Sequence, residues 1–199
     1  WACPAIDAIG IDFWAPLSDW RDGEHLDARI SNSIYQLDYL RSRMGAGEAF
    51  DFYYADIEQR NRQVRTPISD EAYSKPWTFR PKDLVGFWSN AHFERVNGLE
   101  VQNATQWIPR SKPIWLTEIG CPAVDRGANA PNVFPDPKSS EGGAPFFSRR
   151  FRDDLIQSRT LEAMLSRFDP NLEGFVESGN PFSPVYGGRM VDPERVYVW

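Results

Sequence analysis

The segment Lys112-Pro113-Ile114-Trp115-Leu116-Thr117-Glu118-Ile119-Gly120 ends a short apolar run on a carboxylate and follows it almost at once with a turn-forming glycine. An apolar run of that length bounded by a proline and a glycine reads as a buried strand, and the acid then stands at its mouth. In parallel α/β architectures the chemistry sits at the C-terminal ends of the strands, so Glu118 occupies the place where a catalytic carboxylate is held. The competing reading is a strand-end charge that only caps a loop. Residue type and position leave both open.

The rest of the chain alternates strand-like and helix-like segments. Ala5 to Trp14 alternates and then runs apolar, which suits a buried strand broken by Ala15-Pro16-Leu17-Ser18-Asp19. Ile30, Ile34, Leu37 and Leu40 recur at helical spacing up to Gly45, which predicts a helix from about Asp27 with one buried stripe. Residues 49–55 read as a second strand ending on Asp56. Pro81 suits the first turn of a helix carrying Leu84, Phe87, Trp88 and Ala91, closed by Gly98. After the strand that ends on Glu118, residues 121–147 form a long loop rich in Pro, Gly, Asn and Ser, of the kind that usually serves function. Phe151, Leu155, Leu161, Met164, Leu165 and Phe168 mark a further amphipathic helix stopped by Asp169-Pro170, and Arg195 to Trp199 begin a fourth strand.

Strands alternating with helices predict βαβ units and a parallel sheet. Four such units amount to half of an eight-stranded barrel. The chain begins at Trp1 without an initiator Met and ends inside a strand-like run, so it reads as a piece of a longer polypeptide whose other part supplies the remaining strands. The alternative is an open sheet of about four strands, completed by a second copy.

Composition narrows the function classes. Twenty-two basic and 28 acidic residues give a net charge of −6, which repels phosphate backbones and anionic lipid heads, so neither nucleic acid nor membrane insertion is expected. Cys3 and Cys121 form neither a disulfide framework nor a zinc spacing, and His25 and His92 stand apart, as surface or capping residues; no metal or cofactor is expected. Eight Trp and seven Tyr either fill a core or line a groove where sugars stack.

At Lys112 to Gly120 the chain resembles the seventh strand of the clan of retaining glycoside hydrolases built on (β/α)8 barrels. More closely, the runs from Gly10 to Gly23 (GIDFWAPLSDWRDG) and from Lys112 to Asn129 (KPIWLTEIGCPAVDRGAN) are similar to the TIM-barrel-like domain of the gene transfer agent tail protein, a family that includes host-specificity hub proteins of phage tails. So are Asn132-Val133-Phe134, Asp136 to Glu141, Asn180-Pro181, and Tyr186 to Val191. The resemblance covers nearly the whole chain. It implies an α/β fold, TIM-barrel-like and here about the C-terminal four βα units as a single domain. It also implies a place in the tail of a phage-like particle made in the bacterial cytoplasm, other tail or baseplate proteins as neighbours, and cell-envelope polysaccharide or peptidoglycan as target.

Carried over residue by residue, Glu118 matches the clan's nucleophile. The clan's proton donor is a Glu directly after an Asn, and no Asn-Glu pair occurs in the 199 residues, so the donor is expected outside them. Asp12 and Asp56 are expected to end neighbouring strands on the face of Glu118, as a second acid, as ligand-binding groups, or as mere loop caps. Trp14 and Trp20 flank the first strand's end and are expected to face the ligand, whereas Trp88 lies on an apolar stripe and belongs to the core.

Overall fold

The structure, a computed structural model, describes residues 1–140 and 142–199, so Glu141 of the Asp136 to Glu141 motif lies outside the described residues. Its centre is a three-stranded parallel sheet of β1 (Ile9–Asp12), β6 (Ile114–Ile119) and β7 (Val191–Val198), with β6 in the middle. Ile114, Leu116 and Ile119 of β6 are fully buried, as the apolar run predicts, and with Ile9 and Val191 they form the floor of the core. One face of the sheet is covered by two helices that pack on each other, α1 (Leu37–Met44) and α4 (Asp154–Phe168), through Leu40, Met44, Ile156, Ala163, Met164 and Phe168. The other face is open. Gly10, Asp12, Trp115 and Thr117 are exposed on it, and the Arg195 guanidinium lies 5.2 Å from the centre of the Trp115 ring.

The second strand, expected over residues 49–55, is absent from this sheet. Residues 49–55 contribute only β2 (Phe52–Tyr53), which pairs antiparallel with β3 (Thr66–Pro67) in a separate ribbon. Ala49 has a left-handed backbone, φ 67°, and residues 47–52 close a tight turn in which Phe50, Asp51 and Phe52 N–H all donate to the Gly47 carbonyl, leaving no straight run to join β1. The consequence is that β1 pairs directly with β6.

Helices are shorter than the periodicities predict. Between a 3-10 turn at Asp27–Arg29 and α1, Ser31 Oγ donates to Ser33 O and Ser33 Oγ accepts from Tyr35 N, local bonds that compete with the helical ladder. Ile30, counted on the buried stripe, is 53% exposed as a result. At the other end, Asp153 caps α4 by accepting from Ile156 N at 3.1 Å, so Phe151 precedes the helix and both it and Leu155 are exposed. Between β2 and β3 stands α2 (Ile57–Arg62). The helix after Pro81 is only α3 (Leu84–Trp88), capped by Asp83. Gly98 does not close it. With Asn97 it turns an antiparallel hairpin of β4 (Phe93–Val96) and β5 (Leu99–Ala104), both residues having positive φ, 53° and 80°, as a two-residue Asn-Gly turn requires.

Candidate functional site

The position of Glu118 follows from one irregularity in β6. Ile11 is paired with Leu116 and Asp12 with Glu118, so β6 carries one residue more than β1 over this step. That extra residue inverts the alternation of the strand. In a regular strand Glu118 would follow Ile114 and Leu116 into the helix-covered core; here Ile119 takes that place, fully buried, and Glu118 is half-buried beside the exposed Thr117. The carboxylate therefore reaches the rim of the open face at the C-terminal end of the sheet.

There the indole of Trp14 donates from Nε1 to Glu118 Oε2 at 3.2 Å. Trp14 stands two residues past β1, and its ring is braced edge-on by Phe134 at 5.5 Å and by Trp199 at 6.1 Å, which meet each other at 5.1 Å. Phe134 comes from the long loop and Trp199 from the end of β7, so three separate segments converge on the strand mouth. Gly120 makes room for the indole: a Cβ there would lie 2.6 Å from the Trp14 ring and 3.0 Å from the Trp199 carbonyl oxygen. A half-exposed carboxylate with one oxygen fixed by an N–H donor can act as a nucleophile, as a base or as an acceptor for ligand hydroxyls.

The other predicted site residues separate. Asp12 is exposed next to Glu118 in register, and its Oδ1 accepts from Thr117 Oγ1 at 2.7 Å. Asp56 does not end a neighbouring strand of this sheet. It is exposed and caps α2 by accepting from Gln59 N at 2.8 Å, because its strand belongs to the separate ribbon. Trp20 is half-buried, with His25 at 4.6 Å and Tyr39 at 5.8 Å, and its backbone N–H and C=O both bond to the side chain of Asn129. Trp88 is core, as expected. Neither histidine is a surface residue: buried His25 takes the capping role instead, accepting from Ala28 N at the start of the 3-10 turn, and half-buried His92 stacks on Trp107 at 10°. Among the described residues no group of three or more His, Cys, Asp or Glu could hold a metal ion, and no helix is long and apolar enough to cross a membrane.

A buried ionic network, which sequence reasoning missed, holds the loop after β1. Asp19 accepts from Arg21, Tyr54, Gln63 and Arg65, and Arg65 also donates to Asp27 at 2.5 Å, itself bonded by the Tyr39 hydroxyl. Burial works against the Asp19 charge, but the bonds from Tyr54, Gln63, Arg65 and Arg21 prevail and hold its carboxyl below the usual range. Tyr54, half-buried against that carboxylate, is pushed up to about 12 by its loss of solvent and by that bond. Close by, Lys82 is buried with its ammonium on three backbone carbonyls, of Pro16 at 2.7 Å, Arg43 at 2.5 Å and Ala46 at 2.7 Å. Only the Ser18-Asp19-Trp20-Arg21 part of this network stands in a motif; the partners come from residues 27 to 82, and no local pattern pairs them. The long loop is likewise more structural than its composition suggests, since residues 124–131 are buried and Asn129 joins Ser18, Trp20 and Phe146.

A family model described as the GTA TIM-barrel-like domain, GTA standing for gene transfer agent, matches residues 1–199. The chain belongs to that family. No curated protein matches it. The gene transfer agent domain is thus TIM-barrel-like and α/β, with a parallel sheet that is small and not closed. Glu118, Trp14 and Asp12 gather at the C-terminal rim of that sheet, which is the end where barrel enzymes of any chemistry keep their reactive groups.

Proposed function

We propose that this gene transfer agent domain is a glycoside-hydrolase-like barrel module of a particle tail, acting on or binding glycans of the recipient cell envelope, either polysaccharide or peptidoglycan. The observation that carries the reading is the displaced alternation of β6, which brings Glu118 out of the core to the strand mouth under an indole donor. A carboxylate placed at random at the end of a central strand needs no such device.

In the catalytic form of the proposal Glu118 attacks the anomeric carbon through the oxygen not held by Trp14, and a second carboxyl about 5–5.5 Å away protonates the leaving oxygen. That donor is expected on polypeptide outside these residues. The three strands then represent the C-terminal part of the barrel, and the open face with Gly10, Trp115 and Thr117 is its interior. Asp12, beside Glu118 in register, holds ligand hydroxyls, and Trp14 with its braced ring forms a wall of the sugar site. Other tail or baseplate proteins are its neighbours in the particle.

A second reading is a structural or carbohydrate-binding barrel of the tail hub without turnover, favoured by the lack of an Asn-Glu pair in the chain. The test assays the gene transfer agent polypeptide that carries this domain on purified peptidoglycan and envelope polysaccharide. Release of reducing ends that disappears in Glu118→Gln supports the enzyme; equal release from parent and variant removes Glu118 from the mechanism. Saturable glycan binding with no cleavage supports the second reading.

A further inference from the structure

An asparagine side chain is open to attack by the backbone nitrogen of the residue that follows it, and a side chain on that next residue obstructs the approach. Of the asparagines in this chain only Asn97 is followed by glycine. The fold sets the pair at the tip of the β4–β5 hairpin, both residues exposed, between Val96 and Leu99 at 60% and 69% exposure. Nothing lies within 4 Å of the position that a Cβ on Gly98 would take. Among the described residues neither the Asn97 carboxamide nor the Gly98 N–H has a hydrogen-bond partner, so nothing holds electrophile and nucleophile apart. The peptide plane between them must swing for the two to meet, and a glycine at φ 80° resists that rotation least.

Asp22-Gly23 is a natural contrast. Gly23 likewise has a positive φ, 71°, and open space around it. The Asp22 carboxylate, however, accepts from Arg126 at 2.6 Å and from Arg149, and these guanidiniums hold its carboxyl below the usual range. An ionised carboxylate turns away an attacking nitrogen. The Asn97 carboxamide is neutral and has no such protection.

We infer that Asn97 is a site of spontaneous covalent modification, deamidation through a succinimide, with water as the only co-reactant. The Gly98 nitrogen gives up its proton and bonds to Asn97 Cγ; the Cγ–Nδ2 bond breaks, and the side-chain nitrogen takes up a proton and leaves as ammonia. Water then opens the five-membered ring. Opening on the side-chain carbon gives an aspartate, and opening on the backbone carbon gives an isoaspartate whose chain runs through the former side chain. Either product adds a negative charge to the net −6. The isoaspartate also puts an extra carbon into a turn built on two consecutive left-handed residues. Beside that turn the hairpin is anchored: Arg95 is bonded to Asp70, and Glu100, its partner in register, is paired with Lys75 and donates from its N–H to Tyr73 OH at 2.9 Å. The modification therefore loosens the hairpin from its seat. It shares no residue with the Glu118 rim and does not depend on the proposed function.

The test incubates the folded polypeptide that carries this domain at mildly acidic and mildly alkaline pH, then maps its peptides by mass spectrometry and by isoaspartyl methyltransferase labelling. The peptide holding Asn97 should gain one mass unit and accept methyl groups, faster at the alkaline pH. Its rate should lie within about tenfold of that in the urea-unfolded polypeptide, because an exposed turn needs little opening. Peptides holding Asp22 or the other asparagines should stay unchanged over the same time, and Asn97→Gly, which suits the same turn, should accept no methyl groups. Exchange of the Glu100 N–H should be several-fold faster in the isoaspartate form than in fresh protein. No conversion at Asn97 in the folded polypeptide overturns the inference, as does equal conversion at the other asparagines or undiminished methyl acceptance in Asn97→Gly. Equal exchange of the Glu100 N–H in both forms overturns the effect on the hairpin.

Discussion

Gly120 and Trp14 are in such close contact that a single methyl group on the glycine would stand 2.6 Å from the indole. Gly120 is also buried. Gly120→Ala must therefore push the indole away from Glu118. Loss of about 2 kcal/mol of stability is expected, the range of an overpacked site, with a changed near-ultraviolet tryptophan signal. Denaturant unfolding and circular dichroism check both; an unaltered signal would mean the ring is not held where the structure has it.

Trp14→Phe keeps an aromatic ring between Phe134 and Trp199 but removes the donor to Glu118 Oε2. Stability should fall by no more than about 1 kcal/mol, because the bond is part-exposed. Urea unfolding of parent and variant measures the difference.

Lys82 has three carbonyl oxygens around its nitrogen, and only an ammonium offers three N–H donors to match them. Burial pushes the group down to about 7, against the pull of Asp51, Glu48 and Asp27. Lys82→Met preserves the apolar stem and leaves three carbonyls without a donor. A loss of about 3 kcal/mol is expected, seen as a lower urea midpoint at unchanged slope.

Acid should loosen the loop after β1. Asp19 is held charged in the folded chain below the ordinary carboxylate range, so its contribution is present above the unfolded value and is lost as pH falls through the folded one. Urea midpoints should decline from pH 5 to pH 2. In Asp19→Asn the decline should be shallower, from a starting stability about 3 kcal/mol lower at pH 7, because Arg21 and Arg65 lose a buried partner. Identical pH slopes in parent and variant would show that other carboxylates govern the decline.

The strand that ends on Glu118, the core face of β6 and the helix over Leu161 to Phe168 were legible because each is a local pattern of apolar spacing. The membership of residues 49–55 in the sheet was not, since Phe52 and Tyr53 are as apolar in a ribbon as in a parallel strand and only their partners differ. The hairpin was legible in principle: Val96-Asn97-Gly98-Leu99 carries the Asn-Gly turn signal, which the helical spacing of Leu84, Phe87 and Ala91 obscured. Glu118 could be singled out from its place in the run, but alternation alone would have pointed it into the core. Its escape depends on pairing with β1, more than a hundred residues away. The Asp19 network was invisible for the same reason, its members being polar residues scattered from 19 to 65.

The offset between β1 and β6 decides on which side of the sheet Glu118 and Ile119 stand. Removing Thr117 would restore the regular weave and leave Leu116 inside, Glu118 outside and Ile119 inside, at the cost of the Thr117 bond to Asp12. A descendant of this chain can shed that one residue and keep its inside and outside, whereas a slip that set Asp12 against Thr117 at unchanged length would exchange them.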